Sequence, residues 1–309
     1  MKKLVLVTGG AGFIGSHLVE ALVARGYGVR VLDSLIYGHR EWVHPEAEFL
    51  EGDICDLKTC RQAMEGMAGV FHMAAMSRSG PSLDAIDVCT QANIVGTQNV
   101  LIAAREAQVA KVVYSGSSTY YGSQPVPHRE YETPSDLLNF YGLSKRVGEQ
   151  YCLMFDSMFK VPAVVLRYFN VYGPRQPKFG AYALVLGIFL GRWAAGEKLE
   201  IHGDGLQRRD FVHVRDVAQA NIMAFESNLH GEIFNVGSGV NVSIKELADA
   251  ISKDQVHGPR RAGDAAETLA DISRIRTALG WEPNVSFQDG LRELMDHVKS
   301  GGAGDRRIA

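Results

Sequence analysis

The sequence predicts a doubly wound α/β fold, a parallel sheet covered by helices on both faces, with a smaller C-terminal lobe set over the carboxyl ends of the strands. Three observations carry this. Short apolar runs alternate with stretches of helical periodicity through the first half of the 309-residue chain. The first run enters a glycine-punctuated turn, Thr8-Gly9-Gly10-Ala11-Gly12-Phe13-Ile14-Gly15, and beyond about residue 175 the elements become shorter and more irregular.

In order, strands are expected over 4–7, 29–32, 48–50, 70–73 and 111–115. Helices fall between them over 13–25 and near 58–64, followed by a long one ending near Gln108. A second long helix is predicted over 139–160, then a strand over 161–169. The later half reads as a helix over 181–195, an extended stretch at 198–202, a Gly203-Asp204-Gly205 turn and a helix over 214–226. A strand at 233–236 and helices at 243–251 and 272–279 complete it. Strand–helix alternation implies right-handed crossovers, so residues 1–175 form the first unit. Residues 176–299 form the lobe, with some elements free to return to the sheet, and 300–309 read as a flexible tail.

The glycine turn is suited to a pyrophosphate. Gly9 permits a tight reversal, Gly12 lets a phosphate approach without meeting a Cβ, and Gly15 lets the helix pack on its strand. The helix start at Phe13 and Ile14 then turns unpaired amides toward the anion. Eighteen residues after Gly15, the second strand ends in Asp33, where a carboxylate accepts both hydroxyls of an adenosine ribose and repels a 2′-phosphate. The nearest arginine after it is Arg40, so NAD is expected over NADP in a Rossmann-type site.

Composition narrows the remaining classes. Hydrophobic residues make up 46% of the chain and the net charge is −3, which supports a large core and argues against nucleic-acid binding. Cys55, Cys60, Cys89 and Cys152 lack C-x-x-C spacing, so they are expected to be reduced core residues, with no metal site. The first strand starts within three residues of Met1 and no apolar run approaches spanning length, which predicts a cytoplasmic protein with no membrane partner.

Two segments could carry chemistry. Tyr141-Gly142-Leu143-Ser144-Lys145 puts a phenol and an ammonium four residues apart on one helix face. The cation favours the phenolate, so Tyr141 could act as a base. Upstream, Ser115-Gly116-Ser117-Ser118-Thr119 runs off a strand into a hydroxyl-rich loop that suits either a hydrogen-bond relay or bonds to its own backbone.

Together these features resemble the extended short-chain dehydrogenase/reductase family, and within it the enzymes that act on nucleotide-diphosphate sugars. The resemblance runs from Val5 to about Pro283. It implies that Asp53-Ile54 contacts the adenine, that Ala74 and Ala75 of His72-Met73-Ala74-Ala75 lie beside the cofactor, and that Asn93 of Asn93-Ile94-Val95-Gly96-Thr97 binds it too. It assigns Tyr141 as base, Lys145 as its cofactor-ribose anchor and Ser117 as the third catalytic hydroxyl. It also implies that Asn170, Arg209 and Arg261 hold a substrate diphosphate and that Asp264 meets the nucleotide ribose. A uridine nucleotide is the commonest in this branch. Two departures stand out. Where the family often has a basic or polar residue soon after H-x-A-A that approaches the cofactor or sugar, this chain has Met76-Ser77-Arg78-Ser79-Gly80-Pro81-Ser82, and the connection from Ile251 to Arg261 leaves little room for a strand.

Dehydratases of the family carry an Asp-Glu pair after the catalytic serine, and decarboxylases keep the glutamate. Ser118 and Thr119 stand there instead, and neither is a competent acid or base near neutral pH. The resemblance therefore implies a nucleotide-sugar 4-epimerase working through a transient 4-keto sugar with a recycled NAD. The alternatives are a reductase, a dehydratase, an epimerase at another carbon, or a noncatalytic NAD-binding protein. Similar 4-epimerases gate the C2 substituent four residues after the Asp of R-x-G-D, here Thr268, whose small side chain implies room for an N-acetyl group. They also imply a homodimer built from helices around 88–108 and 139–160.

Overall fold

The computed structural model describes residues 2–77, 79–132, 136–180, 183–260 and 265–299. The first unit opens with β1 (Leu4–Thr8), α1 (Phe13–Ala24), β2 (Gly28–Asp33), β3 (Glu48–Glu51), α2 (Leu57–Met64) and β4 (Gly69–His72). It continues through α3 (Pro81–Asp84), α4 (Ile86–Thr90), α5 (Gly96–Glu106), β5 (Lys111–Ser117), α6 (Phe140–Phe159), β6 (Ala163–Tyr168) and β7 (Asn170–Tyr172). Then follow α7 (Val185–Ala194), β8 (Leu199–His202), β9 (Arg208–His213), α8 (Val214–Glu226), β10 (Glu232–Val236) and β11 (Asn241–Ser243). The chain closes with α9 (Ile244–Ile251), β12 (Gln255–Gly258), α10 (Ser273–Leu279) and α11 (Phe287–Lys299).

Among the described residues the main sheet has seven parallel strands in the order β10-β6-β5-β4-β1-β2-β3. Side chains alternate across it. Val5, Val7, Val31, Phe71, Val113, Val164 and Leu166 join α1 and α8 in one core. Leu6, Leu32, Val70, Val112, Tyr114 and Val165 join α2, α5 and α6 in the other. Both faces are apolar because both are covered, as a parallel sheet requires. The doubly wound expectation holds.

The lobe has its own core. Leu186 and Phe189 of α7, Ile201 of β8, Leu247 of α9 and Leu291 of α11 pack together beside the three-stranded sheet β11-β9-β7 and the pair β12-β8. The chain does not divide cleanly at residue 175. α8 and β10 return to the main sheet, and β7 already belongs to the lobe.

Four expectations need correction. The long helix ending near Gln108 is continuous but not regular: residues Gln91–Val95 form a single π turn between α4 and α5, and Thr97 Oγ1 donates to Asn93 O at 2.7 Å beside it. The strand expected over 161–169 narrows to β6, and β7, which the sequence reading did not include, follows it in a different sheet. The connection after Ile251 does hold a strand, β12, because residues 252–254 suffice to turn the chain beside β8. α7 begins only at Val185, and of the segment expected to be helical before it, 181 and 182 lie outside the described residues. The tail at 300–309 lies outside them as well. The cysteines are unpaired, with Cys55 half-buried and the others buried.

One ion pair ties α6 to the sheet. Arg167 of β6 meets Glu149 of α6 through two bonds, 2.8 and 2.7 Å, with both side chains at most 2% exposed. Its Nη1 donates to Tyr121 Oη at 2.8 Å and to Glu130 O at 3.1 Å, and the guanidinium lies 3.5 Å from the Tyr120 ring centroid. Burial acts to lower the Arg167 pKa, but the Glu149 carboxylate and Tyr121 together more than offset it, so the cation is retained. Arg167→Ala leaves a buried carboxylate unpaired and is expected to lower stability by about 3–5 kcal/mol in a urea titration of the apoprotein. A loss below about 1 kcal/mol would show that the pair is dispensable.

Candidate active site

The glycine turn closes as the sequence implies. Gly9 has φ +70°, and a Cβ built on it would lie 2.7 Å from Ala74 N. A Cβ on Gly15 would lie 2.1 Å from Gly9 O, so helix and turn meet backbone to backbone. Among the described residues, a Cβ on Gly12 would meet only Gly9 O within 4 Å, at 3.3 Å, so this side of the turn is open. Among the described residues no side chain caps α1 at Gly12, which leaves the amides of Phe13, Ile14 and Gly15 to an outside acceptor. A pyrophosphate fits that cradle.

Asp33 ends β2 with its carboxylate fixed at both oxygens. Oδ2 accepts from Ala11 N at 3.0 Å and Oδ1 from Leu35 N at 2.9 Å, while burial pushes its pKa up. Each oxygen keeps capacity for a ribose hydroxyl. Gly38, which sequence reasoning passed over, clears the approach, since a Cβ there would sit 2.6 Å from Asp33 Oδ1. Asp53 is exposed and accepts from Cys55 N at 2.8 Å, whereas Ile54 is buried in the second core.

A buried polar chain supports the cofactor side. Thr97 gives its hydroxyl proton to Asn93 O, so it must accept from His72 Nε2 at 3.0 Å, which leaves His72 Nδ1 to accept from Thr8 Oγ1 at 2.7 Å. Thr8 Oγ1 then accepts from Ala74 N at 3.3 Å, fixing the strand end that leads to Ala75. Burial drives the His72 pKa down to about 3, so the imidazole stays neutral and acts as a spacer. Asn93 is 1% exposed. Its amide bonds Met76 N and O at 2.8 and 2.9 Å and Ser144 Oγ at 2.9 Å, so it joins the loop after β4 to α6 from inside the protein.

Three catalytic candidates lie on two packed elements. Ser117 ends β5 and caps the turn that follows. Tyr141 and Lys145 sit on the first two turns of α6, whose N-terminus is capped by Asn139 Oδ1 on Gly142 N at 2.8 Å. Ser82 Oγ also accepts from Tyr141 N at 3.1 Å. Gly148 lets α6 close on β5, since a Cβ there would lie 2.2 Å from Tyr114 Oη. Lys145 Nζ donates to Ser115 O at 3.0 Å and stands 5.1 Å from the Tyr114 ring centroid. Burial lowers its pKa to about 8. The structure thus places a desolvated ammonium one helical turn from Tyr141, which is the arrangement a phenolate base needs.

The lobe residues form a second group. Asn170 Nδ2 donates to Asp210 O at 3.1 Å and to Thr268 Oγ1 at 3.2 Å, and the latter oxygen also accepts from Asp210 N at 3.3 Å. Asn170 therefore spends both amide hydrogens within the lobe, and Thr268 is tied to it directly. Arg209 Nη1 donates to Arg208 O at 2.9 Å, fixing the guanidinium beside β9. Arg261 and Asp264 lie outside the described residues. Asp210, which sequence reasoning missed, is fully buried and accepts from Ser238 N and Oγ, Gly239 N and Ala270 N, holding the three segments behind Asn170 and Thr268 together. Its only sequence signal is its place beside Arg209. The described residues contain no cluster suited to a metal ion and no helix long and apolar enough to cross a membrane.

The sequence profile of the NAD dependent epimerase/dehydratase family matches residues 5–237. The chain belongs to that family. A relative in Methanocaldococcus jannaschii, described as a putative UDP-glucose 4-epimerase, is 35% identical over 96% of this chain and 99% of its own. The Thermotoga maritima UDP-glucose 4-epimerase solved with UDP-glucose superposes with a TM-score of 0.93 at 35% identity, covering 96% of this chain and 99% of that one. A UDP-N-acetylglucosamine 4-epimerase from Methanobrevibacter ruminantium, in complex with UDP-N-acetylmuramic acid, gives 0.91 at 34% identity, covering 97% and 100%. As a member of this family the protein uses NAD. Asp33→Ala is expected to weaken NAD binding and to narrow the preference over NADP, measured by titration of both cofactors. Equal affinity of the unaltered protein for the two would overturn the role given to Asp33.

Proposed function

We propose that this protein is an NAD-dependent nucleotide-sugar 4-epimerase acting on a UDP-hexose or a UDP-N-acetylhexosamine. The observation that carries the reading is the pairing of Ser117, Tyr141 and Lys145 on β5 and α6 with plain hydroxyls at Ser118 and Thr119. The site has a base for oxidation at a sugar carbon and no second acid or base there to expel water or carbon dioxide. The similarity to UDP-sugar 4-epimerases over nearly the whole chain supports the same reaction.

NAD, when bound, would supply the redox chemistry, hydride transfer from C4 and back to the opposite face. Gly9, Gly12, Phe13, Ile14 and Gly15 hold its pyrophosphate, Asp33 its adenosine ribose, and Asp53, Ile54, Ala74 and Ala75 line its path. Tyr141 takes the proton from the 4-hydroxyl as the 4-keto sugar forms and gives it back at the end. Lys145 keeps Tyr141 ionised and reaches the nicotinamide ribose. Ser117 bonds the 4-oxygen. Arg209 and Arg261 grip the diphosphate with Asn170 beside them, and Asp264 holds the uridine ribose, so the keto sugar can turn about an anchored tail. We also assign the protein to the cytoplasm as a homodimer. Exposed Val88 lies on α4, and Leu143, Met154 and Met158 form an apolar stripe along α6, which suits a four-helix contact between protomers.

Purified protein incubated with UDP-glucose or UDP-N-acetylglucosamine and no added cofactor is expected to yield the C4 epimer by NMR without net redox change. A 4-keto-6-deoxy product would refute the assignment. Tyr141→Phe and Lys145→Ala are each expected to lower turnover by roughly 10²–10⁴-fold while the protein stays folded.

Thr268 sets the choice of sugar in this reading, because a threonine beside Asn170 leaves room that a larger side chain would fill. Thr268→Tyr is expected to reduce kcat/KM for the N-acetyl sugar relative to UDP-glucose by roughly 10–100-fold. An unchanged ratio would place the gate elsewhere.

A further inference from the structure

Ser117 does not reach the site as an unconstrained hydroxyl. Its Oγ accepts from Thr119 N at 3.3 Å and from Thr119 Oγ1 at 2.9 Å. A serine oxygen has two acceptor positions and one hydrogen, and a backbone N–H can only donate. With both acceptor positions taken by one neighbour, the polar capacity left to Ser117 is its own O–H. Thr119 is held in place to do this. It lies in the short turn Ser118–Tyr121, and its main chain packs on the first turn of α6, where a Cβ built on Gly142 would lie 3.1 Å from Thr119 O.

We infer that Thr119 is a positioning residue that fixes Ser117 as a hydrogen-bond donor, so that the 4-hydroxyl proton passes directly to Tyr141 and not through the serine. This rests on the assignment of Ser117 and Tyr141 above. A relay would require Ser117 Oγ to accept the sugar proton while passing on its own, and an oxygen already accepting two hydrogen bonds is a poor base. In the direct route the O4–H bond breaks and a Tyr141 Oη–H bond forms, while the C4–H electron pair leaves as hydride to oxidised NAD. Ser117 keeps its proton throughout. Its O–H points at O4, where negative charge develops, and the bond strengthens in the transition state. Return of hydride to the other face runs the same steps backwards.

The test is a double-mutant cycle on kcat for UDP-glucose and UDP-galactose interconversion, or for the N-acetyl pair if those are the better substrates. Thr119→Val is expected to lower kcat by at least about tenfold with little change in KM, and Thr119→Ser to stay within about threefold of the unaltered enzyme. In a Ser117→Ala background, adding Thr119→Val is expected to change kcat by less than about twofold, because Thr119 acts only through that oxygen. Normal kcat in Thr119→Val, or the same loss in both backgrounds, overturns the inference. Tyr141→Phe is measured alongside. Normal turnover there overturns the underlying assignment, whereas an inactive Tyr141→Phe with a normal Thr119→Val overturns the role of Thr119 alone. Melting curves establish folding, and Thr119→Ala replaces the valine variant if that one does not fold.

Discussion

Helix α6 carries Tyr141 and Lys145, and three contacts seat it on the sheet. Gly148 lets it approach Tyr114 of β5, Ser144 is held by Asn93, and Glu149 is locked to Arg167 of β6. The contacts lie within about one and a half turns of the helix and on different sides of it, so they fix its rotation as well as its distance. Ser117 is on β5 itself. The geometry of the proposed catalytic trio is thus inherited from the packing of one helix on two strands, before any ligand enters.

That seat buries charge, which costs free energy unless a partner is close. Arg167 and Glu149 satisfy each other, and Tyr121, Glu130 and Tyr120 complete the surroundings of the guanidinium. Lys145 is treated differently. It has a carbonyl and a ring face but no carboxylate within bonding distance among the described residues, and burial brings its pKa down to about 8. A lysine held in this state gains from any negative or polar group brought next to it. A tyrosinate and a ribose hydroxyl are such groups, so the unfavourable burial becomes a bias toward the ionised base. His72 shows the opposite solution, with a neutral ring between two threonines and no charge to stabilise.

Much of this was legible because it is local in sequence. The glycine turn, Asp33 at the end of β2 and the four-residue spacing of Tyr141 and Lys145 each encode geometry within a few residues. The π turn at Gln91–Val95 left no periodic signal, since the residues around it are ordinary helix formers and the wider turn is held by Asn93 and Thr97. The return of β10 to the sheet was open in the sequence because an apolar run does not name its neighbour. The Arg167–Glu149 pair and the four donors around Asp210 join residues far apart in the chain, and only the fold brings them together. The short connection after Ile251 left little room for β12 in the sequence, and a parallel partner already in place at β8 made three residues enough.

If the seating of α6 governs chemistry and not only stability, loosening its first turn should slow the reaction without weakening the binding sites. Ser144→Ala does this with little disturbance, since it cuts the link from Asn93 to Tyr141 O while leaving the Asn93 bonds to Met76 intact. The decisive measurement is kcat for 4-epimerisation by this variant at a temperature where it is folded, together with KM for the UDP-sugar. The account expects kcat to fall about tenfold or more with KM nearly unchanged, because small misplacements of a catalytic group cost that much. Full turnover in folded Ser144→Ala would contradict it.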